Sequence, residues 1–222
     1  LEQIIMKRHL IIALLVCVAG ILNARAEEVE TNSAPMFGIK AAFDVNIPGD
    51  WHIDSGSVEM YRQGKGFTLG GVYNVYLGKG FYVEPGVSFF YDAYSYLDLK
   101  ISDKEIETPS LYKTGLRIPV VVGYSFNLSE SFSMRVYTGP ELSWAMGGKI
   151  KVKNSDLVGD FPDSLFGNSQ RRVDCAWKIG VGVPYNGFLI SVDGAIGVTD
   201  LMKNPDLSFR ENRVTIGLTY YL

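Results

Sequence analysis

The stretch LRIPVVVGYSF, residues 116–126, followed by NLSES (127–131) and FSMRVYTGPELSWAM (132–146), decides how this chain folds. In the first segment Leu116, Ile118, Val120, Val122, Tyr124 and Phe126 form one row. Arg117, Pro119, Val121, Gly123 and Ser125 form the other. The second segment repeats the pattern. Phe132, Met134, Val136, Thr138, Pro140, Leu142, Trp144 and Met146 alternate with Ser133, Arg135, Tyr137, Gly139, Glu141, Ser143 and Ala145. Successive side chains of a strand point to opposite faces, so a period of two collects the apolar row on one side. Two such strands joined by an Asn/Ser turn read as an antiparallel hairpin. The hairpin alone fits two worlds. In a soluble barrel the apolar face is the core, and in a transmembrane barrel it meets lipid.

The start of the chain narrows the choice. Met6-Lys7-Arg8-His9 is a positive opening, 10–22 is an apolar run too short to span a bilayer as a helix, and Ala24-Arg25-Ala26 has the form of a signal-peptidase site. Residues 6–26 are therefore expected to be a cleaved signal peptide and 27–35 a polar periplasmic leader. A lipoprotein reading of Cys17 fails, because Val16 precedes it and apolar residues follow. The whole chain carries 21 basic and 24 acidic residues. Removing 1–26 takes away Lys7, Arg8, Arg25 and Glu2, which leaves 18 against 23 and a net charge of −5. No basic patch argues for nucleic acid. Only Cys175 survives processing, so neither a disulfide nor a metal–cysteine cluster is expected, and no cofactor.

Eight strands are expected, at 36–46, 66–77, 80–94, 116–126, 132–146, 173–183, 188–200 and 213–222. Their connections alternate. Long ones at 47–65, 95–113 and 147–172, and one of medium length at 201–212, are separated by short ones at 78–80, 127–131 and 184–187. Short periplasmic turns and long external loops are the habit of an up-and-down outer-membrane barrel. The fold expected is therefore an all-β, eight-stranded antiparallel transmembrane barrel over 36–222. Eleven charges of the strands lie on the non-apolar parity: Lys40, Asp44, Glu84, Asp92, Arg117, Arg135, Glu141, Asp174, Lys178, Asp193 and Arg213. Five are basic and six acidic, so a narrow lumen holds them as a paired structural network. Phe81, Tyr124, Phe126, Phe132, Phe188 and Tyr220 are expected at the periplasmic rim, and Tyr91, Trp144 and Trp177 at the external rim.

Five segments also carry a family resemblance. GIKAAFD (38–44), LRIPVVVGY (116–124), YTGPEL (137–142), WKIGVGV (177–183) and the closing RVTIGLTYYL (213–222) resemble PorT-like outer-membrane β-barrel proteins. The resemblance covers essentially the mature chain. It implies an eight-stranded barrel in the outer membrane of a Gram-negative bacterium, in contact with membrane lipid and lipopolysaccharide. It also implies handling by the barrel-assembly machinery during biogenesis and an association with type IX secretion. One departure is the last residue. Such barrels often end in Phe, and here Leu222 follows two tyrosines.

Enzyme chemistry finds little footing. His52, in Trp51-His52-Ile53-Asp54, is the only histidine of the mature chain, with Asp54, Ser55 and Ser57 nearby in sequence. No GxSxG or HExxH accompanies it, so a solvated loop histidine outweighs an outer-membrane hydrolase. Eight strands enclose an interior that side chains fill, which argues against a porin channel. The remaining surface is the external loops. The 147–172 connection is the richest, with Lys149, Lys151 and Lys153 in an alternating run and Asp160, Phe161 and Asp163 beyond it. Binding of a protein or of lipopolysaccharide by a monomeric barrel is the expectation there. A structural or assembly role in the envelope or in secretion is the alternative.

Overall fold

A computed structural model describes residues 36–49, 51–53, 56–58, 63–95, 100–101, 104–105, 110–129, 132–151, 166, 170–203 and 207–222. Eight long strands make the wall. They are β1 (Met36–Pro48), β2 (Gly64–Gly78), β3 (Phe81–Ser95), β4 (Ser110–Ser129), β5 (Phe132–Lys151), β6 (Val173–Tyr185), β7 (Phe188–Gly197) and β8 (Glu211–Tyr221). Each pairs antiparallel with its sequence neighbours, and β1 pairs with β8 to close the barrel. Two small sheets stand apart from the wall. One joins Trp51–Ile53, Gly56–Val58 and Leu207–Ser208, and the other joins Lys100–Ile101 to Lys104–Glu105.

The outside of the wall is apolar all round. Phe43, Leu69, Val87, Val122, Ile179, Ile190 and Ile216 are each about half exposed. On the other parity Asp44, Asn74, Asp92, Glu141, Asp193 and Thr219 are almost wholly buried. A soluble protein has no means of solvating such an exterior, whereas a bilayer does. Val83 departs from the alternation. It sits on the outer parity yet is buried, flanked by Val75 and Val122 of the two neighbouring strands.

Two of the short connections are two-residue turns. Lys79 and Gly80, like Asn186 and Gly187, all have positive φ, the primed-turn geometry that matches the twist of a hairpin. At this turn end, Phe81 packs on Tyr124 (4.7 Å), Tyr124 on Phe126 (4.7 Å) and Phe188 on Tyr220 (4.8 Å). At the opposite, loop end, Phe67, Tyr91 and Tyr112 form a second band. Trp177, expected at the loop-end rim, pairs instead with Pro140 and donates its indole N–H to Thr138 Oγ1 (2.9 Å). Its polar atom is thereby satisfied within the wall.

Several boundaries differ from the sequence reading. The β4–β5 ladder runs on to Ser110↔Lys151, so 110–113 and 147–151 belong to strands and not to loops. Leu111 drives this extension, because it is buried against Tyr94, Ala145 and Phe166. Strand β7 stops at Gly197 and not at 200. Val198 and Thr199 both donate their backbone N–H to the single carbonyl of Cys175 (2.8 and 3.2 Å), which ends the one-to-one ladder.

Candidate functional site

Inside the barrel the side chains of neighbouring and opposite strands interlock. Arg117 on β4 holds Asp44 of β1 (2.8 Å) and Asp92 of β3 (2.6 Å), and stacks over the Phe90 ring at 4.2 Å. Asp44 also accepts from Thr68 (2.5 Å) and Thr215 (2.7 Å) and lies 3.6 Å from Arg213. Arg213 donates to Glu141, and Glu141 shares Lys178 (3.1 Å) with Asp193 (3.0 Å). Asp193 also meets Lys40 at 3.4 Å and accepts from the Tyr137 hydroxyl at 3.0 Å. One continuous network thus joins Lys40, Asp44, Asp92, Arg117, Glu141, Lys178, Asp193 and Arg213.

Three residues of the expected set stand outside this chain of contacts. Glu84 accepts from Asn74 (2.9 Å) and from Tyr221 (2.6 Å) toward the turn end. Arg135 donates to the Tyr221 hydroxyl at 3.3 Å and lies 5.3 Å from the centres of the Tyr82 and Tyr221 rings. Asp174 lines a cavity at the loop end with Lys113, Glu211 and Arg171, and makes no ion pair within 4 Å among the described residues.

Sequence reading missed the pair that closes the network toward the loop end. Lys113 meets Glu211 at 2.8 Å, Tyr94 donates its hydroxyl to the same carboxylate, and the Lys113 ammonium lies 4.9 Å from the centre of the Tyr94 ring. The signal was present. Lys113 shares the parity of Arg117, and Glu211 that of Arg213, but both lie in the segments 95–113 and 201–212 that read as loops. Val121 points inward as its parity requires, where it packs against Tyr82 and Tyr137 and lines a cavity together with Lys40, Glu84 and Arg117.

A lumenal cavity of about 30 Å³ lies among Lys40, Glu84, Ser88, Val121 and Thr219, and the cavity at the loop end holds about 40 Å³. Each has room for a few waters, far short of a conducting pore. Above the network the loops are bonded to one another. Leu207–Ser208 pairs with Trp51–Ile53, and Gly49 donates to the Arg210 carbonyl (2.9 Å). Gln170 bridges to Met202, and Arg171 bonds the carbonyls of that region through both backbone and side chain. Leu201, Met202 and Phe209 bury a small apolar cluster. Asp200 accepts the N–H groups of Met202 and Phe209, both at 3.0 Å. Burial pushes its carboxyl up, but these two donors, together with the Ser208 hydroxyl and the Arg171 charge, hold it below the ordinary carboxylate range.

The expected partner residues lie partly beyond this description. Lys149 and Lys151 are on β5, where their backbone pairs with Tyr112 and Ser110. Lys153, Asp160, Phe161 and Asp163 fall outside the described residues. His52 pairs through its backbone with Ser57 and Ser208. Among the described residues no group of three His, Cys, Asp or Glu side chains is placed to hold a metal ion.

An apolar outer face, a charge-filled interior and two aromatic bands define an outer-membrane β-barrel. The chain belongs to the family of the outer membrane protein beta-barrel domain, whose model matches residues 36–203. Similar solved structures include neisserial surface protein A, 14% identical over 85% of this chain and 99% of that one, with a TM-score of 0.46. Ail, the attachment invasion locus protein of Yersinia pestis, is 15% identical over 86% and 100%, with a TM-score of 0.41. OprG of Pseudomonas aeruginosa is 12% identical over 88% and 99%, with a TM-score of 0.43. No curated protein matches the sequence.

Proposed function

We propose that this protein is a non-enzymatic outer-membrane barrel whose loop end is a braced external platform for a protein or lipopolysaccharide partner. The observation that carries this reading is the cross-bonding of the loops, in which Leu207–Ser208 pairs with Trp51–Ile53 and Gln170 with Met202. Loops tied together before binding lose less entropy when a partner arrives. The filled lumen supports the same reading, because it leaves the surface as the place of work. On this reading residues 6–26 are a signal peptide and 27–35 a periplasmic leader, and the barrel sits as a monomer in the outer membrane of a Gram-negative bacterium after insertion by the assembly machinery. The lysine run Lys149, Lys151 and Lys153 is the contact for anionic headgroups or acidic protein surface, with Asp160, Phe161 and Asp163 beside it.

The test replaces the three lysines by Glu and measures binding of purified lipopolysaccharide and capture of envelope proteins. Binding is expected to vanish while the heat-dependent gel shift of the folded barrel persists. Unchanged binding of every partner would overturn the platform reading. A second reading, a PorT-like structural component of the envelope or of type IX secretion, is favoured by the five resembling segments. It expects secretion to survive the lysine substitutions and to fail when the gene is deleted.

A further inference from the structure

Strict alternation along β5 would give Lys149 and Lys151 lumenal positions. Trp144 and Met146 are exposed on the outer face, and Ala145 between them is buried. Continued residue by residue, that period puts 149 and 151 on the parity of Ala145. The β4–β5 ladder breaks the period. Gly115 faces Ala145, but the next residue of β4, Thr114, faces Gly147, so Met146 has no residue opposite. One extra residue in a strand reverses the parity of everything beyond it. Gly148 and Ile150 accordingly face the buried Lys113 and Leu111, while Lys149 and Lys151 face Tyr112 and Ser110 of the outer parity.

The reversal gathers charge on one flank of the wall. Of the charged residues in the eight strands, Lys65, Lys149 and Lys151 alone take outer register positions. All three lie at the loop end of β2–β5. Lys65 pairs with Ala93, Ala93 with Tyr112, and Tyr112 with Lys149. One row across four strands thus has a lysine at each end. Lys151 stands two residues further out, in the row of Ser95 and Ser110. Just below the row, Phe67 stacks on Tyr91 at 5.6 Å, and Tyr91 lies 6.0 Å from Tyr112. Aromatic rings settle at the headgroup level of a bilayer, which sets this row among the headgroups. Lys65 is exposed there, and no acidic residue of the strands shares its parity.

We propose that this row binds the phosphates of lipopolysaccharide, the phosphorylated glycolipid of the outer leaflet, and holds it against the flank of the barrel. The inference rests on the reading of the loop end as external, and it moves the contact from the top of the loops to the side of the wall. Charge complementarity selects the occupant. Neighbouring strands lie about 4.8 Å apart, so three steps put Lys65 and Lys149 roughly 14 Å apart along the wall. A headgroup with several phosphates reaches both lysines, whereas the single phosphate of a phospholipid reaches one. Ala93, small and between them, leaves room for sugar to lie across the row. The apolar wall below receives the acyl chains.

Titration of folded barrels in detergent micelles with purified lipopolysaccharide tests the row. Lys65→Gln is expected to weaken binding about fivefold, and Lys65→Gln with Lys149→Gln about 25-fold. Lys65→Arg is expected to bind as the parent does. Lys79→Gln, which removes the same charge at the turn end, is expected to change nothing. Dephosphorylated lipopolysaccharide is expected to bind the parent as weakly as the intact lipid binds the double variant. Unchanged binding by Lys65→Gln overturns the proposal, as does an equal loss in Lys79→Gln. Phosphatidylglycerol bound as tightly as lipopolysaccharide also overturns it, since any anionic lipid would then serve. Loss of binding on replacing Lys149, Lys151 and Lys153 by Glu, with Lys65→Gln unaffected, would leave the loop platform standing without the row.

Discussion

Arg117 and Asp44 meet at 2.8 Å across the lumen, although their strands are separated in the wall by β2 and β3. The pair therefore acts as a strut and not as a neighbour contact. Arg117 also carries Asp92, so removing it leaves Asp92 without its ion pair and Asp44 with only Arg213 at 3.6 Å. Breaking a buried pair from one side costs roughly 3–5 kcal/mol, whereas replacing the whole group by neutral side chains is often close to neutral. Arg117→Met is expected to lose stability on that scale in urea unfolding from vesicles. The triple change with Asp44→Asn and Asp92→Asn is expected to recover most of it. A single variant within about 1 kcal/mol of the parent would mean that water already screens these groups.

Val120 and Val121 are chain neighbours with one side chain in common and two different surroundings. Val121 is packed against Tyr82 and Tyr137, while Val120 is partly exposed on the outer face. Val121→Leu crowds Tyr82 and Tyr137 and is expected to cost about 1–3 kcal/mol. Val120→Leu is expected to be nearly neutral. Arg at 120 would meet hydrocarbon, at roughly 2–4 kcal/mol near the midplane. Folding yield by the heat-dependent gel shift reads all three, and a reversed order for the two leucines would turn the barrel inside out.

Sidedness has its own test. In a Cys175→Ala background, a cysteine at Ser57 is expected to react with an impermeant maleimide added to intact cells. One at Tyr185, beside the Asn186-Gly187 turn, is expected to stay unlabelled until the outer membrane is opened. Labelling of position 185 alone would place the loop end in the periplasm.

The Asp200 clamp predicts a pH dependence confined to the loop end. Its folded-state pKa lies below the ordinary carboxylate value, because burial, which raises it, is outweighed by the N–H donors of Met202 and Phe209 together with Ser208 and Arg171. The clamp therefore contributes stability above the ordinary value of about 4 and loses it as pH falls through the lowered one. Exchange of the Met202 and Phe209 amides, corrected for intrinsic chemistry, is expected to accelerate below that point. Asp200→Asn is expected to exchange faster at neutral pH and to show no such step. A step of equal size in the variant would assign it to another group.

Much of this architecture was legible because a strand has a period of two and a barrel wall has two unlike sides. Arg117 and Ile118 could be sent to opposite faces from the sequence alone. What alternation does not report is where a strand stops. Lys113 and Glu211 lay beyond the expected ends, since their flanking residues are polar, although their parity matched Arg117 and Arg213. Nor does alternation report what packs on what inside the lumen, so the contact of Val121 with Tyr82 and Tyr137 had no signal in the sequence. The interlocking of the loops had no signal of its own, because Gln170 and Met202 meet only after β6 and β7 have paired.

Closure of the wall sets the order in which the molecule can be made. Ile39 on β1 finds its last partner in Tyr220 on β8, at the far end of the barrel domain. Until β8 arrives, β1 and β7 each present an unpaired edge, and an open edge in hydrocarbon is both costly and adhesive. The contact that completes the barrel spans nearly the whole domain, so it comes late and makes folding slow. An unfinished chain is therefore no smaller version of this protein but a sheet with two sticky margins, and the cell must hold it until the final strand is delivered.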